Sequence, residues 1–182
     1  SPTATGDMLR ICDYTVDCEL HHGRTSIVYR AHLDERTVVL KVLRNEFPTA
    51  QAIERHRCEL ATAAPLRLAH TLRLLEQVRH GHRSVLIFED EGSINLARFA
   101  AGRRLAPSEV LEIAIGLARA LGELHGHRLV HHNLNPNNVL IDPQRRTIKL
   151  SNLELAAAPG AGVHAAGNLG YMAPERSGRT RE

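Results

Sequence analysis

The stretch His131–Leu140 holds the residues whose types and spacing could do chemistry. It reads His-His-Asn-Leu-Asn-Pro-Asn-Asn-Val-Leu, with Asn133 two positions after His131 and Asn138 five positions further on. This spacing is typical of a loop that positions a general base, and an aspartate at position 133 would accept the proton of an attacking hydroxyl. Asn133 has similar size and hydrogen-bonding reach, but its neutral carboxamide cannot take up that proton. The stretch therefore indicates a catalytic type of loop without its base.

Two further blocks follow this loop in the chain. The first reads Ile-Lys-Leu-Ser-Asn-Leu-Glu over residues 148–154, and the second ends in Ala173-Pro174-Glu175. In this order and spacing the three blocks resemble the H-R-D, D-F-G and A-P-E motifs of protein kinases, a combination much harder to obtain by chance than one motif. The resemblance puts Asn152 where the family has its metal-binding aspartate, and it replaces the arginine of H-R-D by His132.

The segment Leu20–Ala31 resembles the glycine-rich loop and following strand of the same family. Of the three glycines in that motif only Gly23 remains, and His21 and Ser26 stand for the others. Glycine lets the backbone approach a phosphate closely because it has no Cβ. We therefore expect the two side chains to hold the turn away from a nucleotide or to fill the space of its phosphates.

Lys41 ends a run of β-branched residues that resembles the lysine-bearing strand of kinases. It is one of only two lysines in a chain whose other basic residues are arginines, the second being Lys149. The resemblance implies that Lys41 pairs with a helix glutamate, for which Glu59 is the best candidate. In the alternative interpretation Lys41 simply ends a strand and Glu59 lies on a solvated helix face.

The resemblance implies a set of nucleotide-binding positions and a set of degenerate ones. No catalytic residue is expected to function, since His132, Asn133 and Asn152 occupy the catalytic positions in altered form. Asn138 and Asn152 are the only candidates for holding Mg²⁺. The expected cofactor-binding positions are Gly23, Val28, Lys41, Glu59, Glu89, Asn138, Leu140 and Asn152.

Composition excludes several other function classes. A net charge of +3 with dispersed arginines does not favour nucleic acid as a partner. No apolar run reaches membrane-spanning length and no signal-peptide core is present, so no membrane association is expected. Three cysteines without Cys-x-x-Cys spacing favour reduced thiols in a cytoplasmic protein. The twelve histidines show no recognised zinc-ligand spacing.

The predicted fold class is α+β, with the bilobal architecture of protein kinases. Residues 1–8 are expected to form a flexible leader, and residues 9–91 an N-lobe with a five-stranded antiparallel sheet and one helix. Residues 92–182 would hold the hinge and a partial, mainly helical C-lobe ending after the A-P-E motif. The helix Ser108–Gly126 is apolar on most sides, which predicts that a protein partner or a second copy covers its surface.

The resemblance extends to one bacterial setting. The loop residues 135–138, the segment Phe88–Gly92 and residues 174–179 resemble the kinase-like module that heads large bacterial sensor proteins with histidine-kinase and ATPase regions. We therefore expect a catalytically inactive regulatory or interaction module of a bacterial signalling protein. Two alternatives stay open: an atypical ATP-dependent serine/threonine kinase whose Asn138 and Asn152 hold the metal, and a sensor that binds ATP without turnover. Any ATP binding is expected to be weak and little dependent on Mg²⁺.

Overall fold

The structure is a computed structural model that describes residues 9–161 and 169–174. The chain forms two compact units. Unit 1 comprises Ser1–Ala52 and Leu74–Asp90, and unit 2 comprises Ile53–Arg73 and Glu91–Glu182. The predicted leader over residues 1–8 and the motif residue Glu175 lie outside the described residues.

Unit 1 is built on one antiparallel sheet with the order β1-β2-β3-β4-β6-β5. Its strands are β1 (Arg10–Ile11), β2 (Tyr14–His22), β3 (Ser26–Leu33), β4 (Arg36–Leu43), β5 (Leu74–His80) and β6 (Arg83–Glu89). The sequence predicted five strands and the sheet has six. The additional strand β1 has two residues, which is too short to show the period-two alternation by which strands are predicted.

Strand β4 lies at the centre of this sheet, and it is buried from Val38 to Leu43. A strand with neighbours on both edges and little exposure favours an apolar run, which is interrupted here by Lys41. The paired register places Lys41 opposite Val28 on β3 and opposite Leu86 on β6. Lys41 is therefore held by the two most regular ladders of unit 1.

The helix α1 (Ala50–Ala63) begins and ends as its flanking residues predict. The Oγ1 of Thr49 accepts a hydrogen bond from the backbone N–H of Ala52 at 3.2 Å, which satisfies one of the free donors of the first turn. Pro65 follows the helix and cannot continue it. From Ile53 onward the helix belongs to unit 2.

Unit 2 combines two further helices with a second antiparallel sheet. The helices are α2 (Leu96–Ala100) and α3 (Pro107–Gly126), and the strands are β7 (Ile94–Asn95), β8 (Val139–Ile141) and β9 (Ile148–Leu150). The predicted helix Ser108–Gly126 thus begins one residue earlier. The three short strands lie beside the loop, since β8 follows directly after Asn138.

Helix α3 packs closely on strand β9. A Cβ atom built on Gly116 would lie 2.6 Å from Cγ1 of the buried Ile148, so only glycine fits at this contact. Ile113, Ala120 and Leu124 complete the buried face of the helix. Among the described residues, no helix is long and apolar enough to cross a membrane.

Candidate functional site

The turn between β2 and β3 is closed by backbone contacts around Gly23. The N–H of Gly23 donates to the carbonyl of Ser26 at 2.9 Å, and a Cβ on Gly23 would lie 2.8 Å from that same carbonyl oxygen. Glycine is therefore required here by space. Ser26 itself is buried in the strand that follows, so it acts as part of the sheet and not as a flexible phosphate-binding position.

The imidazole of His21 lies beside this turn. Its Nε2 would be 3.5 Å from a Cβ on Gly23. Burial of the ring, and next the positive charge of Lys41, lower the pKa of His21 below its ordinary value. A neutral ring in this position adds bulk near the lysine without adding positive charge for a phosphate.

Lys41 and Glu59 are both buried, with 7% and 2% of their surface exposed. The alternative in which Glu59 lies on a solvated helix face is therefore wrong. Lys41 belongs to unit 1 and Glu59 to unit 2, and the ion pair between them stays a prediction. A buried lysine and a buried glutamate each need compensation for the water that they lose.

The last strand of unit 1 leads into the predicted hinge. Phe88 is buried, and Glu89 is paired with Val38 at the end of β6. Asp90 follows and accepts two hydrogen bonds from the guanidinium of Arg30 on β3, at 2.5 Å and 3.0 Å. These bonds, above all other effects, raise the pKa of Arg30. The bidentate pair fixes the end of β6 to the sheet of its own unit.

In unit 2, His131 anchors the loop that was identified from sequence. Its side chain is buried, Nε2 lies 2.9 Å from the carbonyl oxygen of Ser151, and Nδ1 accepts the backbone N–H of Asn133 at 3.2 Å. Burial lowers the pKa of His131. The ring is therefore neutral, with its proton on Nε2 donated to Ser151, and its role is structural.

The asparagines of the loop bind one another and the backbone. The Nδ2 of Asn138 donates to the carbonyl of Asn133 at 2.7 Å, and the Nδ2 of Asn135 donates to the same carbonyl at 3.0 Å. Asn152, in the left-handed conformation with φ 61°, donates through Nδ2 to Oδ1 of Asn138 at 3.3 Å. The two predicted metal positions, Asn138 and Asn152, are thus brought together and joined by a hydrogen bond.

This arrangement does not fit a divalent metal ion. Mg²⁺ is held in proteins through carboxylates together with phosphate and water oxygens. The loop from His131 to Val139 contains no Asp or Glu, and the Oδ1 of Asn138 already accepts a hydrogen bond from Nδ2 of Asn152. The nearby Asp142 accepts the backbone N–H groups of Gln144 and Arg145, which lower its pKa. Across the described residues, no group of three or more His, Cys, Asp or Glu side chains could hold a metal.

The remaining predicted position, Leu140, lies in β8 opposite Lys149 of β9. The Nζ of Lys149 binds Oε1 of Glu91 at 2.5 Å, so the second lysine of the chain holds the start of unit 2. Nη1 of Arg55 in α1 lies 3.9 Å from Oε1 of Glu154, the residue at the glycine position of the D-F-G motif. The sequence predicted neither pair, because the partners are far apart in the chain and charged residues carry no pairing signal.

An apolar cavity of about 370 Å³ opens beside the first turns of α3. Pro136 of the loop lines one part of the cavity. Tyr171 lines another part, and 59% of the surface of Tyr171 is exposed. Its other lining residues are Leu96, Ala97, Ala100, Leu105, Val110 and Ile113. The cavity lacks convergent charged groups, which distinguishes it from a site for phosphate chemistry.

Comparison with known proteins agrees with the arrangement of the loop and strands. Residues 14–181 match the protein kinase domain family. The chain is 25% identical over 177 residues to receptor protein kinase WSS1 of rice, covering 90% of this chain and 19% of that protein. It is 28% identical over 170 residues to rust resistance kinase Lr10 of wheat, covering 84% and 26%.

A bacterial protein is also similar. A probable serine/threonine-protein kinase of Clostridium acetobutylicum is 22% identical over 173 residues, covering 90% of this chain and 26% of that protein. The chain therefore spans roughly a fifth to a quarter of the length of these relatives. Because the family match extends over most of the sequence, the chain belongs to the protein kinase domain family.

Proposed function

We propose that this chain is a catalytically inactive kinase-like module with a regulatory or interaction role in a cytoplasmic bacterial signalling protein. The observation that supports this most is the hydrogen bond from Asn152 to Asn138, with Asn133 nearby and no carboxylate in the loop. Phosphoryl transfer in protein kinases uses an aspartate that accepts the proton of the substrate hydroxyl, and metal ions that are held by a second aspartate and an asparagine. Loss of a general base alone reduces a rate by about 10²–10⁴-fold.

The direct test is phosphoryl transfer itself. The chain is incubated with labelled ATP, Mg²⁺ or Mn²⁺ and generic protein substrates, and the variant Lys41→Ala is the matched control. We expect no incorporation of label above the control, because amides stand where the kinase motif has its general base and its metal-binding carboxylate. Labelling that depends on Lys41 would instead favour the atypical kinase.

Nucleotide binding without turnover is the second candidate function. It is supported by Lys41, the lysine position of the kinase motif, which is buried in a regular sheet. A ligand that binds only the folded state raises the melting temperature with concentration. We expect millimolar ATP to give a small shift or none, and Mg²⁺ to add nothing, because Asn152 offers a neutral oxygen where Mg²⁺ prefers a carboxylate, and its Nδ2 donates to Asn138.

The variant Asn152→Asp makes this test sharper. A carboxylate at position 152 removes the N–H that occupies Oδ1 of Asn138 and supplies the charge that Mg²⁺ prefers. We expect a Mg²⁺-dependent thermal shift with ATP in the variant and none in the natural sequence. An equal Mg²⁺-dependent shift in both proteins contradicts the proposed loss of the metal site.

We also propose that the surface of α3, over Ser108–Gly126, binds a protein partner or a second copy of the chain. Leu111 and Ile115 support this, because 63% and 52% of their surfaces are exposed. Exposed apolar patches on a domain surface mark interaction sites when they are contiguous. Replacing Leu111 by Asp leaves the buried face of α3 untouched and should weaken any such association.

A further inference from the structure

Two arginines from different segments of unit 2 meet at the side chain of Phe99. Phe99 lies in α2 and is buried, and the guanidinium carbons of Arg103 and Arg146 lie 4.7 Å and 5.0 Å from the centroid of its ring. Arg103 follows α2 in the chain, and Arg146 belongs to the turn between β8 and β9. Stacking on an aromatic ring restricts the orientation of a guanidinium group. The two residues therefore form a fixed pair, which we call the arginine pair.

One carboxylate serves both members of the arginine pair. Glu109, in the first turn of α3, accepts hydrogen bonds through Oε1 from Nη2 of Arg103 at 2.8 Å and from Nη2 of Arg146 at 2.9 Å. Its Oε2 accepts the backbone N–H of Ala106 at 2.9 Å. This N–H, and next Arg146, lower the pKa of Glu109, so the carboxylate is charged at neutral pH. The negative charge of Glu109 is thus shared by two guanidinium groups.

The arginine pair has donors that Glu109 does not use. A guanidinium group carries more N–H donors than these bonds engage, and Nη1 of Arg146 is buried without a hydrogen-bond partner among the described residues. A buried donor without an acceptor is unfavourable. The side chains of Arg103 and Arg146 are 43% and 35% exposed, so a part of each is accessible to a ligand. The pair therefore favours a further anion.

Two neighbouring arginines increase the positive charge of this surface. Arg104 and Arg145 are each adjacent in the chain to one member of the pair, and both are exposed. Asp142, in the same turn as Arg145, accepts the backbone N–H groups of Gln144 and Arg145. The four arginines outnumber Glu109 and Asp142, so positive charge remains. A surface of this kind matches a segment with several negative charges.

The chemistry of the cluster favours a carboxylate over a nucleic acid. Glu109 already places a carboxylate oxygen within hydrogen-bond distance of both arginines of the pair. Single-stranded nucleic acids are bound with the help of aromatic side chains on which bases stack. Phe99 cannot serve in this way, because only 7% of its surface is exposed. An acidic peptide segment needs no such stacking.

We propose that the arginine pair, together with Arg104 and Arg145, binds an acidic segment of a protein partner through its carboxylate groups. The inference rests on the proposed interaction role of this chain and gives that role a site and a partner chemistry. It requires neither catalysis nor the apolar surface of α3. Because the guanidinium groups are partly exposed, salt screens the attraction and the binding weakens as ionic strength rises.

The first experiment measures the binding of a fluorescein-labelled peptide of alternating Glu and Ser by fluorescence anisotropy. The natural chain should bind this peptide saturably and should not bind a peptide of alternating Gln and Ser. Arg103→Gln should weaken binding about tenfold, because it removes a stacked, charged donor. Arg24→Gln removes the same charge at an exposed position of unit 1, so it is the matched control and should leave the affinity unchanged.

The exposed arginines give a test that does not disturb the packing on Phe99. Arg104→Gln and Arg145→Gln should each weaken binding of the Glu peptide about threefold, as expected for exposed ion pairs. Circular dichroism should show the same spectrum for both variants and for the natural chain. Full affinity in both variants would contradict the proposed extent of the site.

Replacing the shared carboxylate should change the affinity in the opposite direction. Glu109→Gln retains an oxygen for the N–H of Ala106 and removes the negative charge beside the arginine pair, so the Glu peptide should bind about threefold more tightly. Glu35→Gln, at an exposed position of unit 1, is the control for net charge and should have no effect. Weaker or unchanged binding by Glu109→Gln would mean that Glu109 only fastens α2 to α3, and it overturns the inference.

The remaining outcomes separate this inference from the other proposals. A natural chain that shows no saturable binding of the Glu peptide overturns it, and so does equal weakening by Arg103→Gln and Arg24→Gln. Tighter binding of a single-stranded oligonucleotide of equal charge, lost in Arg103→Gln, would assign the arginines to nucleic acid instead. The assay of phosphoryl transfer and the variant Leu111→Asp test the proposed function by other readouts, so their failure is distinguishable from failure here.

Discussion

Unit 1 and unit 2 position their motif residues by different kinds of contact. In unit 1, the ladder between β3 and β4 places Lys41 opposite Val28, and backbone pairing alone determines that position. In unit 2, the loop around Asn133 has no regular ladder, and its shape depends on side chains such as His131 and Asn138 that bind backbone groups. A ladder tolerates most side-chain changes, whereas a loop of this kind depends on particular hydrogen-bonding groups.

The loop therefore has neutral hydrogen-bonding groups where the kinase motif has charged groups of similar size. An asparagine at position 133 or 152 keeps the volume and one oxygen of an aspartate, and it adds an N–H donor. In Asn152 that donor binds Asn138. The comparison teaches that the shape of the loop can be maintained by amide contacts without the carboxylates that phosphoryl transfer requires.

The largest expected effect is the loss of unfolding free energy when an ion pair is removed at the end of unit 1, compared with the loss when one is removed at the start of unit 2. Arg30→Met removes both donors to Asp90, whose side chain is 5% exposed, and should lower the free energy of unfolding by about 2–3 kcal/mol. Lys149→Met removes one bond to the more exposed Glu91 and should cost about 1 kcal/mol or less. Urea unfolding measures both values, and an equal cost would mean that burial does not separate the two pairs.

The next test breaks the amide contacts of unit 2 alone. Asn138→Ala removes the donor to the carbonyl of Asn133 and the acceptor of Asn152, in a buried position. The groups left without a partner should cost about 1–3 kcal/mol of unfolding free energy. Asn137→Ala, at an exposed loop position, is the control and should cost about 0.5 kcal/mol or less. A near-neutral Asn138→Ala would show that the loop does not depend on this side chain.

Glycine substitutions show how tightly each unit is packed. Gly23→Ala places a Cβ 2.8 Å from a backbone oxygen in unit 1, and Gly116→Ala places one 2.6 Å from the Ile148 side chain in unit 2. Each should lower the unfolding free energy by about 1–2 kcal/mol through overpacking. Gly122→Ala meets nothing within 4 Å, and its higher helix propensity should add about 0.5–1 kcal/mol at concentrations where the chain is monomeric. Stabilisation by all three variants would contradict the packing described.

The sequence predicted the features that depend on local pattern or on motif spacing. The residues that flank α1 indicate its ends, the apolar residues of Ser108–Gly126 predicted α3 to within one residue, and the β-branched run predicted the strand of Lys41. The two-residue strands β1 and β7 were missed because they are too short to show a period-two alternation, and β7 in addition pairs with the distant β8.

For the candidate site, the sequence predicted that Asn138 and Asn152 would be neighbours, but not which atoms would bind. The motif spacing carries the position of each residue along the chain. The direction of an amide and its hydrogen bond to another amide depend on three-dimensional contacts, as in the bond from Nδ2 of Asn152 to Oδ1 of Asn138. The pair of Arg30 with Asp90 is 60 residues apart and has no local signal.

The smallest expected effect is a pH dependence that comes from the anchor of the loop. Burial lowers the pKa of His131 in the folded chain below its value of about 6.5 in the unfolded chain. The unfolded state therefore binds more protons as the pH falls below about 6.5. The stability is complete above this pH and decreases as the solution becomes more acidic.

His131→Gln separates this contribution from that of other groups. Glutamine can donate to the carbonyl of Ser151 but does not titrate, so the decrease of unfolding free energy between about pH 6.5 and 5 should be shallower in the variant. His21, whose pKa is also lowered by burial and by Lys41, contributes in the same direction from unit 1, and His21→Gln measures that share. Since the side chain of His21 is exposed near the end of β2 and that of His131 is buried, the larger change should come from His131. A larger change in the pH dependence of the unfolding free energy for His21→Gln than for His131→Gln would contradict this prediction. It would mean that the acid-sensitive contact lies in unit 1.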